Sequence, residues 1–291
     1  MSGYRVVLAA QVFSNNTYWT SLHQRKIPAI CQKQNGFAFA QGVWLLYLLR
    51  REPSNGCSEL RENVMTKILF QGVNMSIPEY ESIKDNVKYS YDVTALDYHK
   101  LFCDELDGHE YDRMVLDRFS DNFTGNAVIC DIGCGPSIQY GGYLYDKGFQ
   151  IHGMDISKGC IDNARNQYPD IKYHLSDMTK TSLPDNMFDG IITFYALFHI
   201  PKQYQHEAVR EFNRLLKPNG KLLLVNHKGS LTKTIDKIWG HGSINLFINF
   251  SSEDEIRKLL DDNGFTVDSF EVAKSYYEFP EERIIVCASK P

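Results

Sequence analysis

No run of apolar residues in the 291-residue sequence is long enough to cross a bilayer as a helix. The longest, FAFAQGVWLLYLL from Phe37 to Leu49, stops at Arg50-Arg51 and falls about a third short of the roughly 20 residues a span needs. A buried helix is the expectation there, with surface anchoring by a basic-flanked helix as the alternative. The seven cysteines (31, 57, 103, 130, 134, 160 and 287) form no C-x-x-C pair, so no zinc site is expected and the chain reads as reduced and cytoplasmic. A net charge of −5 supplies no overall basic field, so nucleic acid is not an expected partner. Acids are missing from the start of the chain, where none precedes Glu52. Residues 1–74 carry eight Lys/Arg against three Glu, a balance of +5 that leaves −10 on residues 75–291. An acid-poor, Arg-bearing start is a form that organelle-targeting segments take, although MSGYRVVLAAQVFSNN is weakly amphipathic and shows no clear cleavage site.

What the sequence does have begins after that extension. From about residue 82, apolar strands alternate with amphipathic helices. AVICDI (127–132) is almost wholly apolar, as a parallel strand covered on both faces should be. Strands are expected at 150–156, 171–175, 188–196 and 220–227. The helices between them include SKGCIDNARNQY, with a serine cap, and KQYQHEAVREFNRLLK, stopped by Pro218-Asn219-Gly220. SEDEIRKLLDDNG opens on a serine with acids in its first turn, and two late runs, FTVDSFEV and ERIIVCAS, are spaced to pair antiparallel. The pattern predicts an α/β domain over 75–291: a Rossmann-like, seven-stranded, mostly parallel sheet with helices on both faces and an antiparallel last strand. Residues 1–74 have mixed composition and no repeat, and are read as an extension of uncertain structure.

In an open parallel sheet, ligands bind beyond the carboxyl ends of the strands. Gly133 and Gly135 follow the first strand and suit a turn whose backbone must approach a ligand closely. A dinucleotide fingerprint would want a third glycine at 138, which is Ile138, and that argues against a pyrophosphate cradle. Acids stand at successive strand ends. Asp131 ends the first strand, Asp155 the second, 20 residues after Gly135, and Asp177 lies two residues past the third. Asp155 is placed to accept hydrogen bonds from ribose hydroxyls, Asp177 one from an exocyclic adenine amine, and Asp131 to face a ligand's ammonium. Three such acids complement a nucleoside that carries a sulfonium and an amino acid.

The segments VICDIGCGPS, GMDIS, SDMTKTSLPDNMFDGIITFYALFHI and EFNRLLKPNGKLLLV carry a likeness that spans roughly residues 84–288. In their order and spacing the chain resembles the class I S-adenosylmethionine-dependent methyltransferases. That resemblance implies S-adenosylmethionine as cofactor, with Asp131, Gly133 and Gly135 at its methionine part and Asp155 on the ribose. It also implies Ile156 packed on the adenine, Asp177 and Met178 framing the adenine edge, and Phe194 beside the cofactor. The region 84–123 looks like the family's N-terminal lid, in which Tyr91 and Tyr98 share one helical face. Tyr91 is expected to cover the cofactor or shape the acceptor cavity, and Tyr98 to be core. Ser137 is expected to cap the helix after the glycine turn.

Methyl transfer from a sulfonium asks the protein mainly for positioning and exclusion of water. A hydroxyl acceptor adds the need for a base, for which His199 is the first candidate and His227 the second, with a positioning role open to each. No N-P-P-Y-like motif follows the fourth strand, no acid stands at that strand end as in the metal-dependent catechol-type enzymes, and no basic, aromatic stripe suggests RNA. The expected acceptor is therefore small and partly apolar, under a cap at 228–251 that carries Trp239, Phe247 and Phe250. Protein or RNA methylation, or a non-catalytic cofactor-binding scaffold, are the alternatives. Oligomeric state is left open.

Overall fold

The computed structural model describes residues 80–276 and 280–291. The extension at 1–74, its apolar run and the domain start at Met75 lie outside the described residues. Elements are numbered from the first described residue. Three helices come first: α1 (Tyr80–Phe102), α2 (Glu105–Gly108) and α3 (Glu110–Ser120). The core then runs β1 (Val128–Ile132), α4 (Gln139–Asp146), β2 (Gln150–Asp155), α5 (Lys158–Gln167), β3 (Lys172–Leu175) and β4 (Phe188–Phe194). A 3-10 turn (Leu197–His199) leads into α6 (Lys202–Leu215) and β5 (Leu216–His227). After a hairpin of β6 (Thr232–Ile238) and β7 (His241–Asn249) come α7 (Glu253–Asp262), β8 (Thr266–Lys274) and β9 (Glu282–Ser289).

Seven strands form one sheet in the order β3-β2-β1-β4-β5-β9-β8. The β1–β2, β2–β3, β1–β4 and β4–β5 pairs are parallel, and β9 runs antiparallel between β5 and β8. The sheet is covered on both faces, and the strands show it residue by residue. On β5, Leu222 and Leu224 join the core beneath α6 and α7, with Phe212, Leu215, Ile256 and Leu260. Leu223 and Val225 point to the other side, into the core shared with Leu116 and Phe119 of α3 and Leu144 of α4. That is the two-residue period of a strand buried on both sides. Each such side chain removed from water stabilises the fold by about 1.5–3 kcal/mol.

Local capping sets several helix starts. Ser157 caps α5 by accepting the Cys160 N–H, and Ser252 with Glu255 forms a reciprocal capping box on α7. The chain order reverses between β1 and β4, so their carboxyl ends part and leave a crevice. A separate apolar cluster roofs it: Ile83 and Val87 of α1, Phe198, and Ile244, Leu246, Phe247 and Ile248 of β7. The segment expected as a cap is thus a two-stranded antiparallel hairpin packed on α1.

Candidate active site

Gly133 and Gly135 follow β1 at φ +74° and +63°, in the left-handed region that glycine enters freely. The N–H groups of Gly133 and Cys134 both donate to the Met154 carbonyl, at 2.7 and 3.0 Å, so the turn hangs from the end of β2. A Cβ on Gly133 would lie 2.3 Å from that of Ala196, whereas a Cβ on Gly135 would meet nothing within 4 Å. The second glycine therefore faces open space. Ile138 sits where a dinucleotide loop carries its third glycine, and it too is left-handed, at φ 44°. A β-branched residue there is strained by about 1–3 kcal/mol. Complete burial of its side chain, against Gly141 and Gly153, holds it in place.

Ser137 does not cap α4. Its hydroxyl pairs with His99 Nδ1 of α1 at 3.1 Å, and α4 starts from Ile138 with no side-chain cap of its own. The left-handed turn at Ile138 moves the helix start one residue past the serine. Asp131 supplies the missing acceptor from β1, taking the Gly141 N–H at 3.0 Å. It lies beneath the cavity wall, almost fully buried, and burial pushes its carboxyl up to about 7.

Asp155, Ile156, Asp177, Met178 and Phe194 all line the cavity with the two glycines. Asp155 Oδ2 accepts the Gly135 N–H at 3.0 Å and Oδ1 accepts the Ser157 N–H at 2.8 Å. Burial nevertheless pushes its carboxyl up to about 6. Asp177 receives Thr179 N–H and Oγ1–H on one oxygen, at 2.9 and 2.8 Å, while Lys84 of α1 stands 3.0 Å from the other. Phe194 is stacked on Tyr140 at 3.8 Å between centroids. The cavity extends from the glycine turn to α1 and opens to solvent. Hydroxyl-accepting acids, a glycine turn and the apolar slot of Ile156, Met178 and Phe194 fit S-adenosylmethionine.

The opposite wall is aromatic. Tyr91 and Tyr98 of α1, Tyr195 and His199 line it, so Tyr98, expected in the core, stands at the cavity instead. The Tyr91 hydroxyl lies 2.8 Å from His199 Nε2, and His199 Nδ1 lies 2.7 Å from the Phe247 carbonyl of β7. A carbonyl only accepts, so the proton sits on Nδ1, and Nε2 is left to accept from Tyr91. Burial lowers His199 to about 4 and holds the Tyr91 hydroxyl well above its usual 10, so both are neutral at pH 7. His227 stacks on Tyr195 and meets Phe198 edge-on, outside the cavity wall, and burial lowers it to about 3.

Sequence reasoning missed Lys84, Tyr140 and the ion pair between Arg283 and Asp112, each only 1% exposed. Arg283 also donates to the Tyr195 hydroxyl at 2.9 Å. Only the composition of β9, an arginine inside an apolar strand, hinted at that pair. Among the described residues no group of three or more His, Cys, Asp or Glu side chains is arranged to hold a metal, and no helix is long and apolar enough to cross a membrane.

Comparison with known proteins bears on the domain and its fold. Residues 130–224 match the family model described as a methyltransferase domain. An uncharacterized methyltransferase of Anoxybacillus flavithermus is 24% identical over 149 residues, covering 51% of this chain and 67% of that protein. Phosphoethanolamine N-methyltransferase 1 of Zea mays is 28% identical over 158 residues, covering 51% of this chain. The match takes in 30% of the maize protein, so the chain spans under a third of that relative's length. Among solved structures, the 1,6-didemethyltoxoflavin N1-methyltransferase of Burkholderia thailandensis, with 1,6-didemethyltoxoflavin and S-adenosylhomocysteine bound, superposes with a TM-score of 0.59 at 14% identity. It covers 74% of this chain and 91% of its own. With the matched segment running from β1 into β5 and the seven-stranded sheet around it shared with a solved methyltransferase, residues 130–224 are similar to a methyltransferase domain, and the chain has the fold of the class I S-adenosylmethionine-dependent methyltransferases, a family whose cofactor is S-adenosylmethionine.

Proposed function

We propose that the chain methylates a small, partly apolar molecule that enters between the glycine turn and the aromatic wall. The carrying observation is the Tyr91–His199 hydrogen bond of 2.8 Å, placed in the same cavity as Gly133, Asp155 and Asp177. The cofactor supplies an electrophilic methyl group; the side chains hold, orient and dry the site. Asp155 takes the ribose hydroxyls, Asp177 with Met178 frames the adenine, and Ile156 packs on its face. The Gly133–Gly135 turn cradles the methionine part beside Phe194, with Asp131 holding α4 from beneath.

On the acceptor side, Tyr91 presents its oxygen to the nucleophile's N–H or O–H. As the methyl bond forms, that proton passes to the Tyr91 oxygen while the tyrosine's own proton moves to His199 Nε2. The imidazolium so made is steadied by its Nδ1–H bond to the Phe247 carbonyl. An imidazole lowered to about 4 is a weak base, so the site favours an acceptor that gives up its proton late, after bond formation has acidified it. The small amine named for the maize relative supports an acceptor of that size.

The test is transfer of labelled methyl from S-adenosylmethionine into fractionated extract. Label in the small-molecule fraction is expected, whereas label confined to protein or RNA overturns the acceptor class. Tyr91→Phe and His199→Asn should each slow turnover by about 10²-fold or more and leave S-adenosylhomocysteine affinity nearly native. Unchanged turnover in both would remove the pair from the reaction.

A further inference from the structure

The cofactor side of this cavity is tied by one short chain of hydrogen bonds to α1, the helix that carries Tyr91. Asp155 Oδ1 accepts the Ser157 N–H at 2.8 Å. The Ser157 hydroxyl accepts the Cys160 N–H and donates to Asp92 Oδ1 of α1 at 2.7 Å. The same Asp92 oxygen also accepts the Gly159 N–H at 2.9 Å. α5 is therefore capped twice, by its own serine and by a carboxylate from the lid helix, where an anion also opposes the helix dipole favourably. The two backbones nearly touch at this point: a Cβ on Gly159 would lie 2.8 Å from the Asp92 carbonyl oxygen.

We propose that Asp92 is a positioning residue that fixes the rotation of α1 and so couples the ribose side of the cofactor site to the Tyr91–His199 pair. Asp92 follows Tyr91 directly, so about 100° of helix separates a side chain locked on α5 from one that reaches His199. A 20° turn of α1 about its axis would sweep an atom 6 Å off that axis through about 2 Å, enough to break the 2.8 Å bond to His199. Other ties hold α1 nearer its ends. Lys84 reaches Asp177 on a long side chain, and Asp97 meets His241 of β7 at 2.9 Å in a partly exposed pair. The Asp92 contacts are short, central and made to the capped first turn of α5, one to the Ser157 hydroxyl and one to the Gly159 N–H, so they set the angle. Cofactor that organises Asp155 and Ser157 thereby steadies Tyr91 for the acceptor.

This inference rests on the cofactor reading above, and two measurements on the full chain separate them: calorimetric titration with S-adenosylhomocysteine, and 15N NMR of the His199 ring in the free protein. Asp92→Ala should bind S-adenosylhomocysteine about tenfold more weakly and shift the Nε2 signal away from its hydrogen-bonded position. Asp92→Asn keeps an acceptor oxygen and should restore affinity to within about threefold, with His199 signals near native. Gly159→Ala, which pushes the helices apart and leaves the carboxylate in place, should move the His199 signal in the same direction as Asp92→Ala. A purely structural Asp92 would lower the melting temperature alone. Native affinity and native His199 signals in Asp92→Ala overturn the proposal, as do unmoved His199 signals in Gly159→Ala if Asp92→Ala fails to fold. A native chain that ignores S-adenosylhomocysteine sinks the cofactor reading, while the His199 comparison still decides the role of Asp92.

Discussion

Beneath the cavity, Gly133 and Cys134 hang from the Met154 carbonyl and Gly135 from Asp155, contacts made between backbone groups or across one βαβ unit. Above it, α1 is held by side chains that reach across much longer stretches of sequence: Asp92 to Ser157, Tyr91 to His199, and Asp97 to His241, which lie 65, 108 and 144 residues apart. At Gly133 the floor tolerates little change, because an added methyl group would lie 2.3 Å from Ala196 Cβ. A roof built of side-chain pairs can be loosened one tie at a time. That asymmetry suits the proposed site, in which the cofactor seat is fixed and the cover is the part able to loosen.

The severest break is expected in the floor, at Gly133→Ala. The new Cβ would have to occupy space 2.3 Å from Ala196 Cβ at φ +74°. Strain and displacement together should cost about 3 kcal/mol or more in a urea melt and remove measurable S-adenosylhomocysteine binding. Gly135→Ala sharpens the point, since its Cβ meets nothing within 4 Å and only its φ of +63° is unfavourable. It should cost about 1–2 kcal/mol. Equal losses in the two variants would show that close packing against Ala196 is not what sets the floor.

Next in size is Asp155→Ala, which removes the acceptor proposed for the ribose hydroxyls. Calorimetry should find S-adenosylhomocysteine binding weakened by about 1–3 kcal/mol. Equal affinity in the two proteins would refute the ribose role. The Gly135 and Ser157 N–H groups also lose their partner, so part of the effect is looser anchoring of the turn.

What could be read in the chain follows the same division. The glycine turn, the strand-end acids, the Ser157 cap and the Ser252–Glu255 box are local patterns, and the antiparallel β8–β9 pair follows from two adjacent apolar runs. The roof is different. Residues 228–251 were legible only as an aromatic interruption, because the turn of the β6–β7 hairpin places Trp239 at φ 49° and Gly240 at φ 85°. Two-residue hairpin turns ordinarily announce themselves with Asn-Gly or Asp-Gly. Here packing of Trp239 against Tyr98, at 4.8 Å between centroids, holds the indole-bearing residue in that conformation. The same contact draws the Tyr98 ring to the cavity rim, which helical spacing cannot foretell. Ser137 illustrates the limit at one residue. Its hydroxyl is a sound local cap, but His99 of α1 competes for it, and Asp131 from β1 takes over the capping.

A last and smaller effect separates floor from roof by acidity. With no ligand, burial holds Asp155 at about 6, above its usual 3.8. A group raised on folding contributes stability that is complete below its unfolded value and lost as pH rises through the folded one, so at pH 7 the ionised Asp155 is a cost to the empty fold. In the proposed site ribose hydroxyls donate to this carboxylate and favour its ionised form, so ligand binding is expected to lower that pKa. Affinity for S-adenosylhomocysteine should then be flat above about pH 7 and fall below pH 6, by up to tenfold per pH unit. His199 and His227 cannot produce this profile, since they stay neutral down to about 4 and about 3. Asp131, raised to about 7, titrates nearby but lies beneath the wall with Gly141 as its partner. Asp155→Asn decides the point: weaker binding with no pH dependence between 5 and 7 assigns the profile to Asp155, whereas a retained slope takes it away from Asp155.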